Sequence, residues 1–319
     1  MRNATLRQLK VFESVARHLS FTRAAEELHL TQPAVSTQVK ELEQHTGLPL
    51  FEQLGRKVYL TEAGREMLHH SRLIIQQFRE AEEAMQHLRG VPGGTLNVSV
   101  ISAGDYFFPR LLAEFTRRHP GVALNLSVYN RAELHRRLAE NLTDLAVMVR
   151  PPRDFDTVDM AFAPHPYVAV AAAKHPLAKV KGLRLADLAR ERFVTRERGS
   201  DTWFAMEKAF GRWLPKLDIG MEISSSETIK QAVVAGMGIS FLSAYTVSLE
   251  RKTGQLAVLD VKGFPFMLDW YVVHRRSKRL PPVASAFRDF LVSEGAALIE
   301  SITGFDAFGA RSRKKPIVA

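Results

Sequence analysis

The 319-residue sequence contains no cysteine. That excludes a disulfide framework, a thiol nucleophile and every cysteine-based zinc or iron–sulfur site. It also lacks any run approaching the roughly 18–20 apolar residues that a bilayer-spanning helix needs. Arg2, Arg7 and Lys10 open the chain, but Glu13 and Arg17 interrupt any apolar stretch of a secretion signal. The expectation is a cytoplasmic protein with no membrane partner. Signatures of catalysis are missing too: there is no Walker-type loop and no His-Glu-x-x-His. Gly236-Met237-Gly238 follows a helical pattern and precedes a strand pattern. A dinucleotide-binding turn needs the reverse order, so these glycines read as a tight turn or a C-cap. Ser224-Ser225-Ser226 lacks the glycine spacing of a nucleophile elbow. The sequence therefore predicts no enzyme, no metal and no cofactor.

What is present is the composition of a folded protein, 46% hydrophobic and 24% charged, with a formal charge of +10. A basic balance points to an anionic partner. The charge is unevenly placed: residues 1–90 hold 12 Lys+Arg against 11 Asp+Glu, so the excess lies in the rest of the chain. Bulk charge thus does not locate a nucleic-acid surface, and that task falls to motifs.

Residues 5–17 have helical spacing, with Thr5 and Gln8 in capping-box positions and Leu6, Leu9, Phe12, Val15 and Ala16 on one stripe. Ser20 caps a second helix over 21–28, whose Ala24 and Ala25 allow close helix crossing. Thr31 caps a third over about 32–45, with Pro33 in its first turn. Val35, Val39 and Leu42 face inward there, while Gln32, Ser36, Thr37 and Lys40 present short polar groups and a cation suited to base edges and phosphates. Residues 51–60 read as a hairpin with Gly55 at its tip, flanked by Arg56 and Lys57 for backbone or minor-groove contact. Thr61 then caps a long helix over 62–89. In it Met67, Ser71, Ile74, Phe78, Ala81, Met85 and Leu88 alternate spacings of four and three, the seam of a dimerising coiled coil.

On these residues the chain resembles the LysR-type transcriptional regulators. The matching pattern is Leu6-x-x-Leu9-x-x-Phe12, Ser20-Phe21-Thr22-x-Ala24-Ala25-x-x-Leu28, Thr31-Gln32-Pro33-Ala34-Val35-Ser36, Leu42-Glu43, Leu48-x-Leu50-Phe51 and Leu60-Thr61-x-Ala63-Gly64. Arg117-Arg118-His119-Pro120-Gly121-Val122, Asp144-Leu145-Ala146-Val147-Met148 and Ser226-Glu227-Thr228-Ile229-Lys230 resemble the branch that regulates carbon-fixation (RuBisCO) operons. The resemblance implies that Gln32, Pro33, Ser36 and Thr37 lie against DNA with Arg56 in the wing. Thr37 stands where many relatives carry arginine. It also implies double-stranded DNA, a small anionic metabolite and RNA polymerase as partners, and a homodimer or homotetramer. The metabolite is a sugar phosphate or a nicotinamide nucleotide on this reading.

Gly90-Val91-Pro92-Gly93-Gly94 is a breaker cluster, beyond which strand and helix patterns alternate. The expected fold class is α+β. A winged helix-turn-helix spans 1–61, a linker helix 62–90 and a hinge 91–94. An α/β effector domain resembling the periplasmic-binding proteins spans 95–300. Its two Rossmann-like subdomains are expected over 95–163 with 268–300, and over 164–267, with mainly parallel sheets. Ligands of such folds bind beyond strand C-termini, beside free helix N–H groups. That selects Ser102, Asn130, Arg131, Arg150, Thr195, Arg196, Ser200 and Thr202, with Arg198 and Ser226 nearby. Cations beside hydroxyls suit a carboxylate or phosphate. Residues 301–319, with four cations over Arg311–Lys315, read as a disordered basic tail. Two alternatives stay open: a solute-binding protein using only the C-terminal half, and a DNA-organising protein without a sensing role.

Overall fold

The computed structural model describes residues 3–55, 57–88 and 93–305. Arg56, the hinge positions Val91 and Pro92, the side chain of Leu88 and the basic stretch Arg311–Lys315 lie outside the described residues. The chain forms two compact units, one holding the N-terminal helices and hairpin and the other the α/β elements that follow.

In the first unit, α1 (Leu6–His18) begins at a capping box: Gln8 N–H donates to Thr5 Oγ1 at 3.2 Å and Thr5 N–H to Gln8 Oε1 at 2.9 Å. Ser20 caps α2 (Phe21–Glu27) and Thr31 caps α3 (Gln32–Thr46), each through its side-chain oxygen. Gly47, at φ 73°, ends α3 in the left-handed conformation that glycine adopts without steric cost. Val11, Val15, Ala24, Ala25, Val35 and Val39 form one core where the three helices meet. The hairpin β1 (Phe51–Leu54) and β2 (Lys57–Leu60) pairs Phe51 with Leu60 and Leu54 with Lys57. Helix α4 (Glu62–Leu88) packs its first turns through Met67, Leu68 and Ile75 against Leu9, Phe12, Leu42 and Leu50.

The glutamate of the Leu42-Glu43 motif has a structural task. Its carboxylate accepts from the backbone N–H of Leu50 at 2.8 Å and of Phe51 at 3.3 Å, tying α3 to the base of the hairpin.

The second unit contains β3 (Gly94–Ile101), α5 (Phe108–Arg118), β4 (Val122–Tyr129), α6 (Arg131–Ala139), β5 (Leu145–Met148), β6 (Thr157–Ala172), α7 (Leu185–Leu188), β7 (Arg192–Arg196), α8 (Asp201–Phe210), β8 (Asp218–Ile223), α9 (Ser226–Val234), β9 (Ser240–Ser243), α10 (Ser248–Lys252), β10 (Leu256–Val258), β11 (Phe266–Arg275) and α11 (Pro282–Thr303). Strands β3–β4, β3–β5 and β7–β8 pair in parallel. The sheet is more mixed than the alternating pattern predicts, because β6 runs antiparallel to β9, β10 and β11, and β11 runs antiparallel to β5. Both β6 and β11 continue from one subdomain into the other, side by side, with Ala163 opposite Trp270 and His165 opposite Leu268. One core gathers Phe107, Phe108, Phe115, Trp270 and Phe287. A second gathers Tyr167, Phe193, Phe210 and Phe241 around the other subdomain.

The crossing strands carry a buried histidine. His165 stacks on Trp270 and lies tilted against Tyr167, each at 4.3 Å between ring centroids, and its Nε2 lies 2.8 Å from Ser243 Oγ. Burial pulls its pKa down to about 3. An unfolded histidine titrates near 6.5, so on acidification the unfolded chain takes up a proton that the folded one refuses. This stability is complete above about pH 6.5 and is lost progressively toward pH 3. Between pH 7 and pH 5 the loss from this residue is about 2 kcal/mol. Urea unfolding followed by tryptophan fluorescence should show that slope, and His165→Gln should flatten it. An unchanged slope in the variant refutes the assignment.

Candidate functional site: a recognition helix and an anion cleft

Two sites emerge, one in each unit. On α3, Val35, Val39 and Leu42 are buried, whereas Thr31, Gln32, Pro33, Thr37 and Lys40 are exposed and Ser36 is half-buried. The structure thus brings the polar candidates to one face of one helix. Thr37 donates its hydroxyl back to the carbonyl of Pro33 at 3.0 Å, so its proton is already engaged within the helix. Lys57 is exposed at the start of β2.

The apolar series on α4 divides. Met67 packs on the core of its own unit and Ser71 is fully buried. Further along, Ile74, Phe78 and Met85 are 44%, 47% and 55% exposed, and Ala81 is exposed as well. Large side chains at i, i+4 and i+11 form a stripe too apolar for a solvated helix face.

In the second unit a cleft lies between the subdomains, lined by Ile101, Ser102, Ala103, Tyr129, Asn130, Arg131, Tyr167, Arg196, Ser200, Asp201 and Thr202. Ser102 follows β3 directly, and Asn130 follows β4, where its Oδ1 caps α6 by accepting from Glu133 N–H at 2.9 Å. Arg196 ends β7 and is only 5% exposed. Its Nε and Nη2 donate to Glu197 at 2.8 and 2.9 Å, which fixes the guanidinium plane. The remaining Nη1 reaches Ser226 Oγ at 3.1 Å and, across the cleft, Ser102 Oγ at 3.4 Å. The two hydroxyls that accept from Nη1 keep their own protons to donate, so guanidinium and hydroxyls together offer convergent donors to one anionic group.

The lips of the cleft are clasped. Asp201, the first residue of α8, accepts at Oδ1 from Arg150 Nε at 2.7 Å and from Arg131 Nη1 at 3.4 Å. Burial lowers the pKa of Arg131, opposed by the Asp201 charge. On another side Tyr106 donates to Glu227 at 3.3 Å, and Lys230 sits over the Tyr106 ring at 4.6 Å. The cleft is partly open and leaves about 20 Å³ free between its walls, room for one water.

Ser102, Asn130, Arg131, Arg196, Ser200 and Thr202 therefore meet at the cleft, as their positions after strands suggest. Thr195 does not; it is buried, and its hydroxyl is directed to the carbonyl of Met221 at 3.4 Å. Arg150 and the exposed Arg198 line a separate, open hollow with Trp203 and Phe204. Ser200 is occupied as the cap of α8, accepting from Trp203 N–H at 3.1 Å. Sequence reasoning missed Asp201 and Tyr167. The acid stands between two selected residues at a helix start, a position that was available as a signal.

Residues 6–65 match the bacterial regulatory helix-turn-helix protein, lysR family, and residues 89–296 match the LysR substrate binding domain. The RuBisCO operon transcriptional regulator of Allochromatium vinosum is 50% identical over 93% of this chain and 98% of its own length. The HTH-type transcriptional activator CmpR of Synechocystis is 46% identical over 93% of this chain and 98% of its length. Among solved structures, the Synechocystis CcmR regulatory domain in complex with 2-PG superposes with a TM-score of 0.59 at 36% identity, covering 63% of this chain and 96% of that one. Full-length CbnR complexed with its target DNA shares the fold, with a TM-score of 0.69 at 21% identity over 90% of this chain and 98% of that one.

Proposed function

Because this chain belongs to the LysR family of DNA-binding transcriptional regulators, we propose that it controls a carbon-fixation operon in response to a small phosphorylated anion held in the cleft around Arg196. The observation that carries this reading is the geometry of that guanidinium. It is buried, fixed by Glu197, and its Nη1 gathers a hydroxyl from each subdomain. An anion there takes donors from both subdomains at once, so binding favours one relative placement of the two. The similar CcmR domain holds 2-phosphoglycolate, which fits the same chemistry.

On this reading the protein works in the cytoplasm, where bacterial DNA lies. Thr31, Gln32, Pro33, Ser36, Thr37 and Lys40 enter the major groove, with Lys57 and Arg56 against the backbone or minor groove. Ile74, Phe78, Ala81 and Met85 pair with a second copy, which sets two recognition helices on paired half-sites. RNA polymerase responds to the resulting DNA geometry.

The test is footprinting on DNA upstream of a RuBisCO operon, paired with thermal shift in 2-phosphoglycolate. We expect protection of a pseudo-palindromic site, ligand stabilisation of the wild-type chain, and at least tenfold weaker ligand binding in Arg196→Met. Sequence-specific protection without any response to phosphorylated anions rules out the cleft assignment.

A further inference from the structure

We propose that the cleft selects anions that also carry a hydroxyl group, and that Tyr167 and Asp201 are the residues that read that hydroxyl. The inference rests on the cleft being the effector site. Two side-chain oxygens in its wall, Tyr167 OH and Asp201 Oδ2, are buried. Asp201 Oδ2 has no hydrogen-bond partner among the described residues, and the Tyr167 phenol meets only the nearby Thr202 hydroxyl, as a weak donor to its oxygen, which leaves its own proton without an acceptor. Buried polar groups are nearly always paired, so an open acceptor and an open donor in one small cleft call for an explanation.

Their chemistry is complementary. Tyr167 comes from the crossing strand β6 and is wholly buried. Burial, and then the nearby Asp201 charge, hold its phenol well above the ordinary range, so the oxygen keeps its proton and donates. Asp201 Oδ1 is already engaged by Arg150 and Arg131, which leaves Oδ2 to accept. The group that fits between a donor and an acceptor must itself accept and donate. A phosphate or carboxylate oxygen without a proton cannot donate to Asp201 and is repelled by it. An alcohol does both with one oxygen.

The cleft thus divides into an anion end, at Arg196, Ser102 and Ser226, and a hydroxyl end, at Tyr167 and Asp201. Sites built to hydrogen-bond a substrate hydroxyl reject the analogue lacking it, because their own polar groups are then left unpaired. The preference expected from a hydrogen bond to a charged acceptor is about tenfold to a hundredfold in Kd.

The experiment is calorimetric titration of the full-length protein with matched pairs that differ by their only alcohol: glycerate 3-phosphate against 3-phosphonooxypropanoate, and glycerate 2-phosphate against 2-phosphonooxypropanoate. 2-Phosphoglycolate serves as the hydroxyl-free reference. The wild type should prefer the hydroxylated member of at least one pair by tenfold or more. Tyr167→Phe keeps the ring against His165 and Phe241 and should erase the preference by weakening the hydroxylated ligand alone. Its ligand-free Tm should fall little, since the deleted hydroxyl loses only its weak contact with Thr202. Asp201→Asn, which removes the acceptor charge, is the second variant and should also lose the preference. If both members of each pair bind equally, or if the preference survives in both variants, the hydroxyl assignment is wrong while the cleft remains the effector site. If no phosphorylated anion binds at all, the cleft assignment itself fails.

Discussion

Replacing Lys278 with methionine should lower the stability of the α/β unit by about 3–5 kcal/mol. The Lys278 side chain is 1% exposed and donates to Asp144 Oδ1 at 2.9 Å and to the carbonyl of Thr143 at 3.2 Å. Asp144 is 2% exposed, and its other oxygen accepts from the backbone and side-chain N–H groups of Asn97 at 3.0 and 2.9 Å. This network joins the middle of β3, the entry to β5 and the turn after β11. Intact, a buried pair adds little net stability, because desolvation offsets attraction. Half of it is worse than none: with the ammonium gone, a carboxylate stays buried without its counter-charge. The double variant Lys278→Met with Asp144→Asn should therefore recover much of the loss. All three tryptophans, Trp203, Trp213 and Trp270, lie in this unit, so the urea transition read by their fluorescence reports it directly. A loss under 1 kcal/mol in the single variant, or no recovery in the double, contradicts the account.

Gly64→Ala should destabilise the N-terminal unit by about 3 kcal/mol or more. Helix propensity alone predicts the opposite sign, since alanine gains about 1 kcal/mol over glycine inside a helix. Sterics decide. A Cβ on Gly64 would stand 2.0 Å from the carbonyl oxygen of Leu50 and 2.9 Å from Leu60 Cδ2. The first of these is backbone, and it sits at the base of the hairpin that Glu43 and Thr61 pin in place. Thr61 Oγ1 donates to the carbonyl of Pro49 at 2.7 Å and accepts from Gly64 N–H at 2.9 Å. The alanine methyl must push the hairpin off α4 or break the first turn of that helix. Far-UV circular dichroism should show an earlier melting phase while tryptophan fluorescence stays unchanged, because this unit has no tryptophan. Operator binding should weaken in parallel. A variant that melts with the wild type overturns the steric argument.

The N-terminal unit was legible because its signals are local. Thr5 with Gln8, Ser20 and Thr31 announce helix starts within four residues of the groups they cap, and Val35, Val39 and Leu42 carry the helical period. The Leu42-Glu43 and Ala63-Gly64 pairs could be recognised as a pattern, but their reason could not be read. Glu43 and Gly64 act on Leu50, whose position depends on tertiary packing. The α/β half was legible in its parallel units and less so at its centre. Strand β6 runs over Thr157–Ala172, longer than its own sequence suggests. Pro164 and Pro166 argue against a strand there, yet pairing with β11 across the subdomains overrides them. The same strand hides Tyr167, which sits at the head of an apolar run and looks like core. Asp201 is hidden differently, since an acid in a first helical turn ordinarily complements the helix dipole. Only the arrival of Arg131 and Arg150 from the other subdomain gives it a second meaning.

A space that admits one water cannot admit a metabolite. The cleft must therefore widen around any effector, and the contacts of Asp201 with Arg131 and Arg150 join walls that have to part.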